Sequence, residues 1–375
     1  MAQIQVQANR IKENPKSFAD LTTIAVGGTF EQLIEVNSEE EFVTAIKTAD
    51  DAQQPLLVLG GGSNLLAADT HFPGVVIRDL RKEITTSDVS SCGGALVKAT
   101  AGTPWDELVA YAVENEWMGI EALSGIPGSV GAAPIQNIGA YGQDVSGVIT
   151  QVRTFDRKTQ KIRTFFLHDL KLGYRHSILK ETINLPEFGP TPRWIVLEVS
   201  FQMRTASLSE PVRYGQLAAH LGVEIGERAP AIDVRNAVIE LRASKGMVLD
   251  DADRDTYSLG SFFTNPVLTL EQAEALPEEA PKFGVEQRSK INQIGAAAPT
   301  VAGQVKTSAS WLIENAGFAP GYQISPEAGL STKHALAITN RGGANSAQIR
   351  ELAQEIIDGV ESRFGVTLLP EPVFM

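Results

Sequence analysis

The glycine-rich turn Gly60–Leu66 comes directly after the short apolar run Leu56–Leu59. Three successive glycines allow neighbouring backbone N–H groups to curl into a concavity that binds anions. Ser63 and Asn64 add side-chain hydrogen-bond donors. Taken alone, this pattern is as typical of a tight strand-to-helix turn as of a phosphate-binding loop, and both interpretations remain open at this point.

A second glycine-rich segment, Ser124–Gly142, favours the binding interpretation. It has five glycines and two prolines in 19 residues, too many for regular secondary structure. Ile126, Val130, Ile135 and Ile138 make it too apolar for a solvated linker. The pattern suits a backbone that wraps around a flat, half-apolar ligand carrying phosphates, so the two segments together indicate a large nucleotide cofactor.

A local excess of positive charge lies in Leu170–Lys180, where Lys171, Arg175 and Lys180 occur without any acidic residue. The planar guanidinium of Arg175 matches the geometry of a carboxylate. The alternative is an ordinary basic surface turn. The excess of positive charge in this segment contrasts with the formal net charge of −13 for the whole chain.

The elements that must position these segments alternate between strand and helix in the first half. Ser38 and Glu41 form a capping box ahead of a helix. Leu56–Leu59 and Gly74–Ile77 are typical of buried strands. Thr103–Pro104 should begin the helix between the two glycine-rich segments, with the proline at the first helical position.

After residue 148 the hydrophobic period changes to two. In Trp194–Met203, alternation predicts that Ile195, Leu197, Val199 and Phe201 share one face of a strand. The sequence pattern as a whole therefore predicts an α+β fold with at least two domains.

A break near Thr205–Pro211 is the candidate boundary to a last domain. We expect Glu278–Thr307, rich in Ala, Pro and Gly, to be an irregular connection. The apolar spacing in Asn345–Phe364 predicts a helix that Gly365 closes.

Composition excludes several classes of protein. The chain has 375 residues, enough for two or three domains, and its negative charge argues against binding nucleic acid or an anionic membrane surface. No apolar run approaches the roughly 18–20 residues of a membrane span, and we expect no signal peptide. Because Cys92 is the single cysteine, a disulfide framework is excluded and we expect a cytoplasmic protein.

Sequence motifs for dinucleotide, calcium and other metal binding are incomplete in this chain. Leu65 stands where the dinucleotide fingerprint needs its third glycine. The run Asp251, Asp253, Asp255 begins like a calcium loop but lacks the later ligands, so we expect a solvated acidic loop. The five histidines show no metal-ligand spacing and are expected to be surface or hydrogen-bonding residues, and no metal site is predicted.

Five ordered segments together strongly resemble the UDP-N-acetylenolpyruvoylglucosamine reductases, the MurB flavoenzymes of bacterial peptidoglycan synthesis. In chain order they are Gly60–Leu66, Ser124–Gly142, Gly173–Ser177, Gly260–Pro266 and Leu369–Pro372. One such motif would be weak, whereas five in order are specific, and the resemblance extends over nearly the whole chain.

The resemblance implies an FAD-binding half of the vanillyl-alcohol-oxidase (PCMH) type, made of two α+β subdomains at residues 18–80 and 81–208. A smaller α+β substrate domain would follow at 209–375. In the implied reaction NADPH reduces non-covalently bound FAD, and the enolpyruvyl ether of UDP-N-acetylglucosamine is then reduced to UDP-N-acetylmuramate. The expected partners are these two small molecules, and the sequence is compatible with a monomer.

The resemblance also implies roles for individual residues. Ser261 would donate the proton, while Arg175 and Glu371 would polarise the substrate. The residues implied to bind the substrate are Tyr174, Tyr214, Lys245 and Asn265. The residues implied to bind FAD are Gly60, Gly61, Gly62, Ser63, Asn64, Leu65, Ser124, Gly125, Ile126, Gly128, Ser129, Gly131, Ala132, Ile138 and Arg242.

The tyrosine segment Val212–Leu217 is similar to a loop that closes over the uridine diphosphate in the family's longer type. It departs from that pattern at Gln216, where those relatives carry an acid.

Two other functions are alternatives to the reductase. An oxidase on the same flavin fold would pass electrons to oxygen, and some of these tether flavin through Cys or His. Cys92 lies outside the glycine-rich segments, which favours non-covalent FAD. A flavin- or nucleotide-binding module without turnover would have no need of Arg175, Ser261 and Glu371 together.

Overall fold

The structure is a computed structural model that describes residues 3–90, 92–286 and 299–375. Its first unit is a small parallel sheet in the order β1-β4-β2, with helix α1 packed against it. The bounds are β1 (Phe30–Val36), α1 (Glu39–Asp51), β2 (Leu56–Val58) and β4 (Phe72–Asp79). The predicted capping box at Ser38 and Glu41 is confirmed, and Phe42 and Ile46 are fully buried.

A larger antiparallel sheet follows in the order β11-β10-β12-β6-β5, with β7 beside the end of β12. The bounds are β5 (Ile84–Ser90), β6 (Gly94–Thr100), β7 (Trp117–Met118), β10 (Ile149–Asp156), β11 (Lys161–Phe166) and β12 (Trp194–Thr205). Between β7 and β10 the chain forms the short helix α3 (Ala133–Gln136) and the strand pair β8 (Gly139–Ala140) and β9 (Gln143–Asp144). Helix α2 (Trp105–Glu114) shares this sheet's core, and its N-cap is Pro104. The proline therefore lies one position earlier than predicted.

The expectation for β12 is wrong in one respect. Ile195 and Leu197 pack with the core around α1, whereas Val199 and Phe201 pack with the core around α2. The register against β10 shifts at this point, so Leu197 has no opposite residue on β10. Such a bulge reverses which side chains face each side of the sheet, so one strand serves two cores.

The C-terminal part is built on small sheets and a long helix. The sheet β13-β15-β14 and the pair β16-β17 surround a core that also takes Ile24, Val26 and Leu66 from the N-terminal part. The bounds are β13 (Val267–Thr269), α6 (Leu270–Glu274), β14 (Lys282–Glu286), β15 (Thr300–Thr307), α7 (Ala309–Asn315), β16 (Ala328–Leu330), β17 (Ile338–Asn340) and α8 (Ser346–Phe364). Asn345 caps α8 and Gly365 closes it in the left-handed conformation, as predicted.

The expectation of an irregular connection over Glu278–Thr307 is wrong where the structure describes it. β14 and β15 pair in antiparallel fashion, and residues 287–298 lie outside the described part. Their side chains are mostly exposed, so the segment needs few apolar residues and gives little hydrophobic signal.

Two helices, α4 (Gly215–Leu221) and α5 (Ala231–Ser244), lie within the range 209–375 that the sequence assigned to the C-terminal domain. They pack on each other and on Ala122, and Ala231 belongs to the core of the large sheet. The proposed limits of the domains remain a prediction.

The acidic run near residue 251 is held by cations and hydrogen bonds. Asp255 is buried, accepts from Thr332 and is paired with Arg341, so the expectation of a solvated loop is wrong for this residue. Within the described residues no cluster of three or more His, Cys, Asp or Glu is arranged to hold a metal ion. Across the same residues, no helix combines the length and apolar character that crossing a membrane requires.

Candidate functional site

The two glycine-rich segments lie directly against each other. A Cβ atom on Gly61 would stand 2.7 Å from Cα of Gly128. The Ser63 hydroxyl donates to the carbonyl oxygen of Pro127 over 3.0 Å. Backbones approach this closely only where side chains are missing, so the first segment supports the shape of the second.

A glycine is required at position 62 for a different reason, the conformation of its backbone. Its φ is +67°, in the left-handed region, and a Cβ atom there would stand 2.0 Å from the carbonyl oxygen of Leu21. Its own carbonyl accepts a hydrogen bond from the Thr23 amide over 3.0 Å. The turn is therefore fixed against the N-terminal segment by its own backbone.

A cavity of about 410 Å³ opens between the two glycine-rich segments. Most residues that the sequence analysis assigned to a site line its wall. They are Gly60, Gly61, Gly62, Ser63, Asn64, Leu65, Ile126, Gly128, Ser129, Ala132, Ile138, Arg175, Arg242, Lys245, Ser261 and Glu371.

Six assigned residues do not line this wall: Ser124, Gly125, Gly131, Tyr174, Tyr214 and Asn265. Ser124 is fully buried, and its hydroxyl donates to the carbonyl oxygen of Glu121 over 2.6 Å. A Cβ atom on Gly131 would stand 2.6 Å from Cβ of Ala101. These two residues support the wall from behind.

The backbone of Gly125 is held by two charged side chains, one at its N–H and one at its carbonyl. Its N–H donates to Oδ1 of Asp106 over 2.6 Å, and its carbonyl accepts from Nε of Arg242 over 3.2 Å. Asp106 is in turn held by two hydrogen bonds, of 2.8 and 2.7 Å, from the fully buried Arg235. Burial lowers the pKa of Arg242, and Asp106 is among the groups that oppose this shift.

Sequence reasoning missed Asp106 and Arg235. Charged residues within helical patterns are ordinarily solvent-facing, and only the packing of α2 against α5 shows that these two are inside.

The C-terminal tail reaches the cavity because it pairs with two remote segments. β18 (Val373–Phe374) lies parallel to β3 (Leu65–Leu66), and the Val373 amide donates to the Asn64 carbonyl over 2.9 Å. On the other side, the Glu371 amide donates to the Phe262 carbonyl over 2.8 Å. This double pairing brings Glu371 to the wall beside the first glycine-rich turn.

Arg175 meets Glu371 at the wall, with Nε 3.0 Å from Oε1 of the carboxylate in a geometry that falls short of a hydrogen bond. Nη2 of the guanidinium donates to the Gly139 carbonyl over 2.7 Å, and Nη1 donates to the Asn137 carbonyl over 3.3 Å. The φ of Arg175 is +52°, which is unfavourable for a residue with a long side chain. The backbone strain and the two carbonyls together fix the direction of the guanidinium.

Tyr174 and Asn265 form a second layer next to Arg175. The backbone N–H of Asn265 donates to the Tyr174 hydroxyl over 3.1 Å, and the side-chain Oδ1 of Asn265 accepts from the backbone N–H of Ala309 over 3.0 Å. Burial raises the pKa of Tyr174. Lys180 donates to the backbone carbonyl of Arg175 over 3.2 Å, and its pKa is lowered by burial and by Arg175, while Glu371 opposes the shift.

Ser261 follows Gly260, whose φ is +73°, and lies on the cavity wall. Its neighbour Phe262 is anchored by an amide hydrogen bond to the Leu336 carbonyl and by the tail. Within the described residues the Ser261 hydroxyl has no hydrogen-bond partner in the protein. It is therefore free to bond a ligand in the cavity.

His334 also lines the wall, although no sequence pattern pointed to a role for it in the site. Burial lowers the pKa of His334 to about 4, and the positive charges of Lys245 and Arg242 add to the shift. The imidazole is consequently neutral near pH 7. A single histidine between a lysine and an alanine carries no local pattern that would reveal this position.

Comparison with known proteins bears on this cavity. Residues 252–375 match the family model of the UDP-N-acetylenolpyruvoylglucosamine reductase C-terminal domain, and residues 30–163 match that of an FAD binding domain. A UDP-N-acetylenolpyruvoylglucosamine reductase of Cutibacterium acnes is 45% identical over 356 residues, which cover 94% of this chain and 88% of the relative. The chain belongs to this reductase family. Another member, from Thermobifida fusca, is 44% identical over 95% of this chain and 96% of its own.

The fold of the family is found here as well. The crystal structure of the reductase from Thermus caldophilus superposes with a TM-score of 0.60 at 24% identity, covering 96% of this chain and 97% of that one. The α+β fold with an FAD-binding half, expected from the sequence, is confirmed. The roles of individual site residues are not decided by these comparisons.

FAD is the cofactor that the family membership and the FAD binding domain imply. The residues of the cavity fit it, because the glycines at Gly60–Gly62 and Gly128 let the two backbone segments that line the wall lie close together. The buried Nε2 of Gln136, a residue of the wall, also lacks a hydrogen-bond partner. An unsatisfied buried donor is costly unless a ligand pairs with it.

Proposed function

We propose that this chain reduces the enolpyruvyl ether of UDP-N-acetylglucosamine to UDP-N-acetylmuramate for peptidoglycan synthesis, with NADPH as the reductant. The observation that supports this most directly is the meeting of Arg175, Ser261 and Glu371 on one cavity wall. The three residues come from distant parts of the chain, and the two glycine-rich segments line the same cavity.

FAD, when bound, supplies the hydride chemistry that no side chain can provide. The glycine-rich segments would hold it, with Arg242 and the Gly125 peptide supporting them. Its attachment is proposed to be non-covalent, because Cys92 is exposed and lies apart from the cavity wall.

Arg175 and Glu371 are proposed to polarise the substrate's carboxylate. Reduction of an enol ether conjugated to a carboxylate develops negative charge on that carboxylate, and a preorganised cation stabilises it. One N–H of Nη1 and one of Nη2 are used on backbone carbonyls, and the buried Nε faces Glu371, so the second N–H of each Nη remains for the substrate. The Glu371 carboxylate forms an ion pair with the guanidinium at Nε.

Ser261 is proposed to protonate the carbon next to the carboxylate. A serine hydroxyl is a weak acid, so it needs positive charge near it as the alkoxide forms. Arg175, Lys245 and Arg242 line the same cavity and supply a positive environment. Tyr174, Tyr214, Lys245 and Asn265 are proposed to contact the nucleotide sugar once it is bound.

Stopped-flow absorbance of the flavin separates the two halves of this reaction. Protonation by Ser261 is needed only when the enolpyruvyl substrate is reduced, so Ser261→Ala should leave flavin bleaching by NADPH nearly intact. Re-oxidation by substrate should slow by on the order of 10²-fold or more. Ser261→Cys should recover part of the loss, because a thiol is the better acid.

Ser310→Ala is the matched control, since this half-buried hydroxyl on α7 donates to Oε1 of Glu314 and does not line the cavity. If Ser261→Ala slows both halves equally, Ser261 shapes the shared pocket and is not the proton donor. A folded chain that cannot be loaded with FAD would contradict the whole proposal.

A further inference from the structure

Lys245 makes a contact outside the cavity wall that its proposed role does not explain. Its ammonium donates to Oε1 of Gln216 over 2.6 Å. Gln216 is the second residue of α4, directly after the Tyr214–Gly215 step, and Lys245 caps the C-terminal end of α5. The contact therefore joins the tyrosine segment to the cavity.

The two ends of this contact are fixed by packing. Leu217 and Ala218 of α4 are buried against Val234 and Val238 of α5. Gln216 lies on the exposed side of α4, next to these buried residues. The helix pair thus determines where the amide of Gln216 can reach.

The surroundings of Lys245 are positive and aromatic. Its ammonium is 5.8 Å from the ring centroid of Tyr141, and that ring meets the ring of Tyr214 edge to face at 5.4 Å. Burial lowers the pKa of Lys245, and the guanidinium of Arg242 lowers it further. In the described part of the chain no carboxylate forms a salt bridge with Lys245.

We propose that Gln216 is a positioning residue for the diphosphate of the substrate, holding the Lys245 ammonium at the cavity without cancelling its charge. The inference rests on the proposed function. An amide oxygen accepts one of the three N–H groups and leaves two for phosphate oxygens. The acid that the resemblance implies at this position in relatives of the longer type would pair with the ammonium, so the neutral amide of this chain leaves more of the Lys245 charge for the phosphates.

The proposal is tested by the affinity of the oxidised holoenzyme for UDP, measured by titration calorimetry. Gln216→Glu should weaken binding by about tenfold, which corresponds to about 1.4 kcal/mol. Gln216→Leu removes the acceptor without adding charge, so it should weaken binding by only about threefold. FAD content and thermal stability should stay at the wild-type level, because Gln216 is exposed and does not itself line the cavity.

Salt dependence gives a readout that a purely structural role would not change. Raising the ionic strength screens exposed charges, so wild-type affinity for UDP should fall with added salt. In Gln216→Glu this fall should be smaller, because the ammonium is already paired. The matched control is Ala219→Glu, which places the same charge on the exposed part of α4, one turn from Gln216. It should change UDP affinity less than twofold.

The outcomes separate this inference from the proposed function. Tenfold weaker binding in Gln216→Glu, with an unaffected control, supports the role of Gln216. Equal binding by wild type and Gln216→Glu overturns that role, and so does an equal loss in Ala219→Glu. If the wild-type holoenzyme fails to bind UDP at all, the proposed substrate is wrong, and the inference is rejected with it.

Discussion

Substitution of Gly61 by alanine should force the two glycine-rich segments apart. The new Cβ would stand 2.7 Å from Cα and 3.1 Å from N of Gly128. Both atoms belong to backbone, which cannot rotate away as a side chain would. Since carbon atoms in contact prefer about 3.5–4.0 Å, the segments must separate by roughly 1 Å.

The cost follows from this overlap. Inserting a methyl group into a well-packed site costs about 1–3 kcal/mol. If the strain falls on the arrangement that binds the cofactor, FAD affinity should drop by about 5- to 150-fold at about 1.4 kcal/mol per factor of ten. Titration of the apoprotein with FAD, followed by flavin fluorescence, measures this loss directly.

Gly147→Ala is the matched control for this experiment. A Cβ atom at Gly147 has nothing within 4 Å, and its backbone is not in the left-handed region. It should leave FAD affinity unchanged. If Gly61→Ala binds FAD as tightly as the wild type, the contact between the two segments does not shape the cofactor site, and the packing argument is refuted.

Two further predictions concern the cavity wall. Arg175→Ala and Glu371→Gln should each slow re-oxidation of the flavin by substrate by about 10²–10⁴-fold. Arg175→Lys should stay markedly impaired, because a lysine cannot span the carbonyls of Asn137 and Gly139. Near wild-type turnover in any of these variants would show that the substituted residue does not have the proposed role. His334 has its pKa lowered to about 4, so the unfolded chain binds a proton that the folded chain resists, and stability should fall as the pH drops below about 6.5. Urea denaturation should show about 2 kcal/mol less stability at pH 5 than at pH 7 from this group, a difference that His334→Gln should remove; an equal pH dependence in both proteins would contradict the assignment.

Local elements of this fold could be predicted because short-range physics specifies them. The capping box at Ser38 and the stop at Gly365 depend on hydrogen bonds and on φ within a few residues. The glycine-rich segments were likewise visible, since a run of glycines excludes regular structure wherever it occurs.

The pairing of segments could not be predicted in this way. Alternation in β12 suggested a single buried face, but the bulge at Leu197 depends on how β10 lies beside the strand. The strands β14 and β15 were missed because their exposed side chains leave no hydrophobic period to detect.

The sequence by itself determined which residues are candidates for the chemistry, through ordered motifs and the positively charged segment around Arg175. Only the tertiary structure decided which of them meet. Glu371 reaches Arg175 because the tail pairs with both β3 and the Phe262 segment, and Lys245 meets Gln216 because α4 packs on α5. These contacts join residues far apart in the chain, and their distances follow from strand register and helix packing, which no local pattern contains.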